Sequence, residues 1–208
     1  MNFTDFDKTI TFVATIPSDL VFSAVYPQER DKEISALSSQ KAKAEKFFAW
    51  KLLLQAIKRV TQKDASVVKF EKQPSGKWTC DACHFSISHR DGVVAVSLSS
   101  TPVGVDIEPV NGVKNNHIAK KILSSVEQKR YDVLPKSCQN SFLTEIWTKK
   151  ESIFKMTNDG TYSFNSYSAD EFFTHTKVID ILDRQFVLSV ATERNSDVDV
   201  QIIDITLF

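Results

Sequence analysis

Phe47, Trp50, Leu53, Leu54, Ile57 and Val60 recur every three or four positions, and that period predicts an amphipathic helix whose apolar stripe faces a core. Lys41, Lys43, Lys46, Lys51 and Lys58 crowd its other faces, as a solvated surface or as a grip for phosphates. A second long helix is expected from about Gln139 to Met156, with Phe142, Ile146, Trp147, Ile153 and Phe154 on its buried side. It stops at "TNDG", where Asn158 and Gly160 suit a C-terminal turn. Ser124 with Glu127 spells a capping box opening a shorter helix that closes before Pro135.

Elsewhere the pattern changes to the period of a strand. Residues 10–25 read as one or two short strands, and "YPQERDKEISALSSQ" as polar and turn-rich. "KQPSGK" is punctuated as a loop by Pro74 and Gly76. "FSIS", "VVAVSL" and "VGVDI" carry the β-branched enrichment and intervening turns of hairpins, and "TKVIDIL", "RQFVLSVA" and "VDVQIIDITLF" alternate like antiparallel strands. The order is a long helix then strands, twice over, with a seam near "DIEPVNG" dividing residues 1–105 from 106–208. It indicates an α+β fold rather than a doubly wound parallel sheet.

Composition narrows the classes. The chain has 208 residues, 42% hydrophobic and 25% charged, with only 5 Gly and 6 Pro, which is ordinary for a globular protein able to bury a core. Its 26 basic and 26 acidic residues cancel, so no global field draws it to nucleic acid or a membrane, and any polyanion must be held by a local patch. No signal-peptide pattern and no run of about 18 apolar residues is present, so the cytoplasm is the expected location and the three cysteines are expected reduced. Cys80, Cys83 and His84 spell C-x-x-C-H, the haem-attachment pattern, but haem attachment follows export. A zinc site lacks ligands, since only Cys138 and the distant His117 could complete it.

Three short stretches carry candidate chemistry. In "GVDIEPV", Asp106 and Glu108 end a strand on one face, about 6 to 7 Å apart by strand rise; they are either solvated acids or ligands for a hard cation such as Mg²⁺, which takes one or two carboxylates and completes its shell with water and phosphate. In "IWTKKESIFK", Trp147, Glu151 and Lys155 follow at i+4 on one helix face, which serves either a helix-stabilising ion pair or a site at the border of the apolar stripe. In "HFSISHRDG", Ser88 and His89 close a strand before a turn, a position where functional residues gather.

In this order, "SH", "GVDIE" and "WTKKESIFK" together resemble the 4′-phosphopantetheinyl transferase superfamily, whose signature is G-[IV]-D-[IV]-E followed by [FW]-x-x-K-E-[SA]-x-x-K. Length and the upstream Ser-His resemble its larger Sfp-like type. The resemblance implies two similarly folded, pseudo-symmetric halves, each a long helix on a small antiparallel sheet, with the active site between them. It implies transfer of the 4′-phosphopantetheine arm of coenzyme A to a serine of an apo acyl or peptidyl carrier protein, Mg²⁺-dependent, with release of adenosine 3′,5′-bisphosphate, by a monomer. By that similarity Asp106, Glu108 and Glu151 hold Mg²⁺, Glu151 is the general base, and Lys155 lies along the pyrophosphate. Ser88 and His89 reach the 3′-phosphate side of coenzyme A; Lys46, Lys72 and Lys150 are further coenzyme A contacts. The chain departs from the pattern at Lys72-Gln73-Pro74, which carries one extra residue, at Arg90 in place of a serine, and at "MTNDG" in place of a glycine-rich turn. Two alternatives stand beside this reading. One is a Mg²⁺-dependent nuclease, against which the neutral charge argues; the other is a non-catalytic module that binds carrier proteins.

Overall fold

The structure is a computed structural model that describes residues 8–113, 116–160 and 163–205; the side chains of residues 116 and 117, and so the His117 imidazole, lie outside that description. The chain forms two compact units. One runs to Pro102 and takes up the chain again from Ser196; the other is Val103–Asn195. The expected division at 105/106 is therefore shifted by three residues, and the end of the chain belongs with its beginning. Among the described residues no helix is long and apolar enough to cross a membrane.

The first unit is a sheet of strands β1 (Thr9–Thr15), β4 (His84–Arg90), β5 (Val93–Ser99) and β9 (Val198–Ile203), with α2 (Gln40–Thr61) packed on it and a small ribbon of β2 (Phe70–Lys72) and β3 (Trp78–Cys80) beside it. Helix α2 starts where the Ser39 hydroxyl accepts the Ala42 N–H, and it ends where Gln62 turns left-handed at φ 57°. Its predicted stripe is the core: Phe47, Trp50, Leu53 and Ile57 meet Phe12, Ala14, Phe85, Val94, Val96 and Leu98 of the sheet. The Trp50 ring is boxed by Phe70, Trp78 and Phe85, with the Arg30 guanidinium 4.8 Å above it. β4 and β5 form the expected hairpin, with Asp91 and Gly92 both at positive φ (48° and 83°) in the two-residue turn that matches strand twist.

Three expectations differ here. "PQERDKEISA" holds a helix, α1 (Gln28–Ser35), in which only Ile34 is buried; so little apolar periodicity left no signal. β5 and the next strand, β6 (Val103–Pro109), do not pair, because the "SSTP" segment passes from one sheet to another. The last strand, β9, lies parallel to β1, so this sheet is mixed rather than antiparallel.

The second unit is a three-stranded antiparallel sheet in the order β6, β8 (Arg184–Thr192), β7 (Phe173–Ile181), with α3 (Asn116–Ile122), α4 (Ser125–Val133) and α5 (Lys136–Thr157). The capping box at α4 is complete, with both reciprocal bonds between Ser124 and Glu127 formed. Helix α5 begins three residues before the expected start, directly after Pro135, and closes with Asn158, not Gly160, at a left-handed φ of 53°. Its buried residues include Leu143, Ile146, Ile153 and Met156. Phe154, expected inside, is 37% exposed and touches the edge of the Phe164 ring.

Candidate active site

The shape of the second unit's site begins with a glycine. A Cβ added to Gly104 would lie 1.8 Å from the Ser152 carbonyl oxygen and 2.6 Å from the Met156 nitrogen, so only glycine lets β6 approach α5 this closely. Strand alternation turns Asp106 and Glu108 to the same face as Gly104, and both are buried, at 5% and 8% exposure. The helix presents Glu151 and Lys155 one turn apart to this row. The Lys155 ammonium donates to Asp106 Oδ1 at 2.7 Å and to the Val105 carbonyl at 3.1 Å. Burial first, and the nearby Asp106 charge second, push the Glu151 carboxyl above the usual carboxylate range, with Lys155 pulling the other way. Glu108 sits over the tight turn after β6, where its Oε2 would be 3.6 Å from a Cβ at Gly112 and the Gly112 N–H donates to the Pro109 carbonyl.

This donor set fits a hard divalent cation. Its acidic donors are carboxylate oxygens, the Asp106 charge helps raise the Glu151 pKa, and the Lys155 ammonium lies against Asp106. Among the described residues no three His, Cys, Asp or Glu side chains are grouped so as to hold a metal ion by themselves. An open set of one or two carboxylates, finished by water and phosphate, is the usual arrangement for Mg²⁺.

Lys150, expected to contact coenzyme A, is corrected by the structure. Its side chain is fully buried, and its ammonium donates to Glu127 Oε2 (2.6 Å) and to the carbonyls of Ile122 (2.7 Å), Phe164 (2.6 Å) and Tyr167 (2.8 Å). An ammonium has three protons, which these four acceptors share inside the unit, so none is left for a ligand. Burial lowers its pKa and the Glu127 carboxylate opposes that. Glu127 was visible in the sequence as a capping residue; its second partner, far along the chain, was not.

The remaining residues lie in the first unit. Ser88 and His89 are consecutive on β4 and so face opposite sides of the sheet. Ser88 is buried, on the face away from Phe85 and Ile87, while His89 shares their face and its Nδ1 is 3.3 Å from Glu45 Oε2 of α2. Lys46, the next residue on α2, is half-buried. Lys72 is paired with Glu33 at 2.5 Å, and Glu33 also takes the Arg30 guanidinium and the Trp78 indole N–H. Cys80 and Cys83 are buried free thiols in the core, with Cys80 Sγ 3.3 Å from the Cys83 carbonyl. A hydrogen bond from the Cys83 thiol draws Cys80 down to about 7, and the same contact pushes Cys83 up. Cys138 is exposed in the other unit. Cys80 and Cys83 thus serve packing, and no zinc cluster forms among the described residues.

A strand bearing Asp-x-Glu thus lies against a helix bearing Lys-Glu-x-x-x-Lys. Residues 102–203 match the 4′-phosphopantetheinyl transferase superfamily. It is 35% identical over 116 residues to the 4′-phosphopantetheinyl transferase gsp of Aneurinibacillus migulanus, covering 53% of this chain and 47% of that protein. It is 33% identical over 114 residues to the 4′-phosphopantetheinyl transferase Sfp of Bacillus subtilis, covering 52% and 50%. A longer match, over 148 residues at 29% identity, joins it to the 4′-phosphopantetheinyl transferase ffp of Bacillus subtilis, covering 64% and 65%. The matched part of the chain thus spans about half the length of the first two relatives.

Proposed function

We propose that the protein transfers the 4′-phosphopantetheine arm of coenzyme A to a serine of an apo carrier protein. The observation that carries this reading is the half-buried Glu151 set near Asp106 and one turn from Lys155, within the segment that matches the superfamily. The serine hydroxyl is a weak nucleophile until a base takes its proton. Glu151 is that base: a carboxylate whose pKa is raised holds an abstracted proton better than an exposed one. The serine oxygen bonds to the phosphorus that carries the pantetheine arm, the proton passes to Glu151, and the bond from that phosphorus to the leaving phosphate breaks. Adenosine 3′,5′-bisphosphate departs with the electron pair. Lys155 turns from Asp106 to the pyrophosphate and stabilises its charge. Asp106, Glu108 and Glu151 would hold Mg²⁺, which supplies neutralisation of the pyrophosphate oxygens. His89, Lys46 and Lys72 bind coenzyme A on its 3′-phosphate side, which requires Lys72 to exchange Glu33 for phosphate, while Ser88, buried on the other face of β4, supports the strand. The neutral overall charge and the family match leave the nuclease reading without support.

The test is labelling of a panel of apo carrier proteins with fluorescent coenzyme A. Wild type should label at least one in the presence of Mg²⁺ and none in EDTA, and Glu151→Gln should label none while melting like the wild type. Full labelling by Glu151→Gln, or by wild type in EDTA, overturns the base and metal roles.

A further inference from the structure

Lys150 raises a question that packing does not answer. Taking an ammonium out of water is costly, and buried ion pairs can often be exchanged for apolar side chains without loss of stability. A methionine would fill the same space. What apolar packing lacks is direction, and direction is what this ammonium has. It joins α5 to the end of α3 through Ile122, to the start of α4 through Glu127, and to the segment before β7 through Phe164 and Tyr167. Glu127 extends the tie: its Oε2 also accepts the Ser124 N–H at 2.7 Å, and its Oε1 accepts the Ala169 N–H at 2.8 Å. The Tyr167 ring lies 4.9 Å from the same ammonium. Three stretches of chain therefore converge on one point of the α5 surface.

That point is one residue from Glu151. Gly104 sets how close α5 comes to β6, but a close contact between backbones still permits the helix to roll. A roll of about 15° swings a group about 5 Å from the helix axis by about 1.3 Å. Bonds radiating from Lys150 to fixed acceptors oppose that motion.

We propose that Lys150 is a positioning residue: by tying α5 to Glu127 and to the carbonyls of residues 122, 164 and 167, it fixes the rotation of the helix and so the placement of Glu151 and Lys155 against Asp106. The inference rests on the catalytic role proposed above for Glu151.

The experiment uses the full chain and the double variant K150M/E127M, which removes both buried charges together and so avoids stranding either one. The double variant is expected to melt below the wild type, because the Ser124 and Ala169 N–H groups and the carbonyls of Ile122, Phe164 and Tyr167 lose their partner, and kcat is compared at a temperature where both proteins are folded. Its kcat for carrier labelling should fall about a hundredfold, the effect of a displacement of about 1 Å in a reacting group. Its KM for coenzyme A should stay within about threefold, since Lys150 touches no ligand. Hydrogen exchange of peptides covering residues 147–155 and 163–169 should speed up while β8 stays protected. A double variant with wild-type kcat, or with unchanged exchange in both peptides, overturns the proposal. If the double variant does not fold, Glu127→Gln, which keeps the side chain's shape, is read by the same two measurements, with kcat expected about tenfold lower and a wild-type kcat overturning the proposal. If wild type labels no carrier, the transferase reading fails by itself, and the exchange measurement alone decides whether Lys150 holds α5 in place.

Discussion

Replacing Gly104 with alanine should damage the protein out of proportion to one methyl group. The added Cβ would sit 1.8 Å from the Ser152 carbonyl oxygen and 2.9 Å from its carbon. Cβ atoms do not approach closer than 3.0 Å, so the gap must open by about 1.2 Å, and the neighbours are helix backbone that no rotamer change can move. Overpacking against a rigid partner costs about 3 kcal/mol, the upper end of its usual range, which for a chain of this length lowers Tm by about 6 to 12 °C. Helix α5 can retreat only by carrying Glu151 and Lys155 from Asp106, so labelling of a carrier protein should fall about a hundredfold even at temperatures where the variant is folded. Gly160→Ala is the control, because a Cβ there meets nothing within 4 Å. The assays are thermal unfolding followed by circular dichroism, and kcat with fluorescent coenzyme A. A Gly104→Ala protein that melts within about 1 °C of the wild type would refute the close approach of β6 and α5 and everything built on it.

Glu151 should also leave a mark on stability. Its raised pKa means the folded state holds a proton more tightly than the unfolded chain; the resulting stability is fully present below the unfolded pKa and is lost as pH rises through the folded one. In EDTA, the urea midpoint of wild type relative to Glu151→Gln should therefore fall as pH rises from about 4 upward, and a pH-independent difference would contradict the burial of this carboxyl. His89→Ala should raise the KM for coenzyme A about tenfold, the worth of one charge-assisted hydrogen bond, with the KM for the carrier little changed. An equal rise in both would place the imidazole elsewhere in the reaction.

The parts of this molecule that were legible in its sequence are those governed by short periods. A stripe at spacings of three and four could only be a buried helix face, and Asp106 with Glu108, or Glu151 with Lys155, needed no more than the strand and helix repeats to share a face. What escaped were contacts made between distant stretches. Lys150 reads as one more charge beside Glu151, since its acceptors at residues 122, 127, 164 and 167 lie far along the chain. The same period of two that places Asp106 beside Glu108 separates Ser88 from His89, which adjacency in the sequence had suggested were one unit. Helix α1 went unseen because it buries a single side chain, and the parallel pairing of β9 because alternation does not distinguish a parallel from an antiparallel neighbour.

The return of β9 to β1 has a consequence for the order of folding. Residues 103–195 form their unit from one uninterrupted stretch, whereas the first unit's sheet gains its last strand only from residues 198–203. On the ribosome the middle of the chain can therefore be complete while β1 still shows one unpaired edge, an open template for pairing with other chains. That edge is closed by the longest-range strand pairing among the described residues, the kind whose loop entropy makes it late and slow. A nascent chain of this protein is thus most exposed to aggregation in the interval between the emergence of Asn195 and that of Ile203.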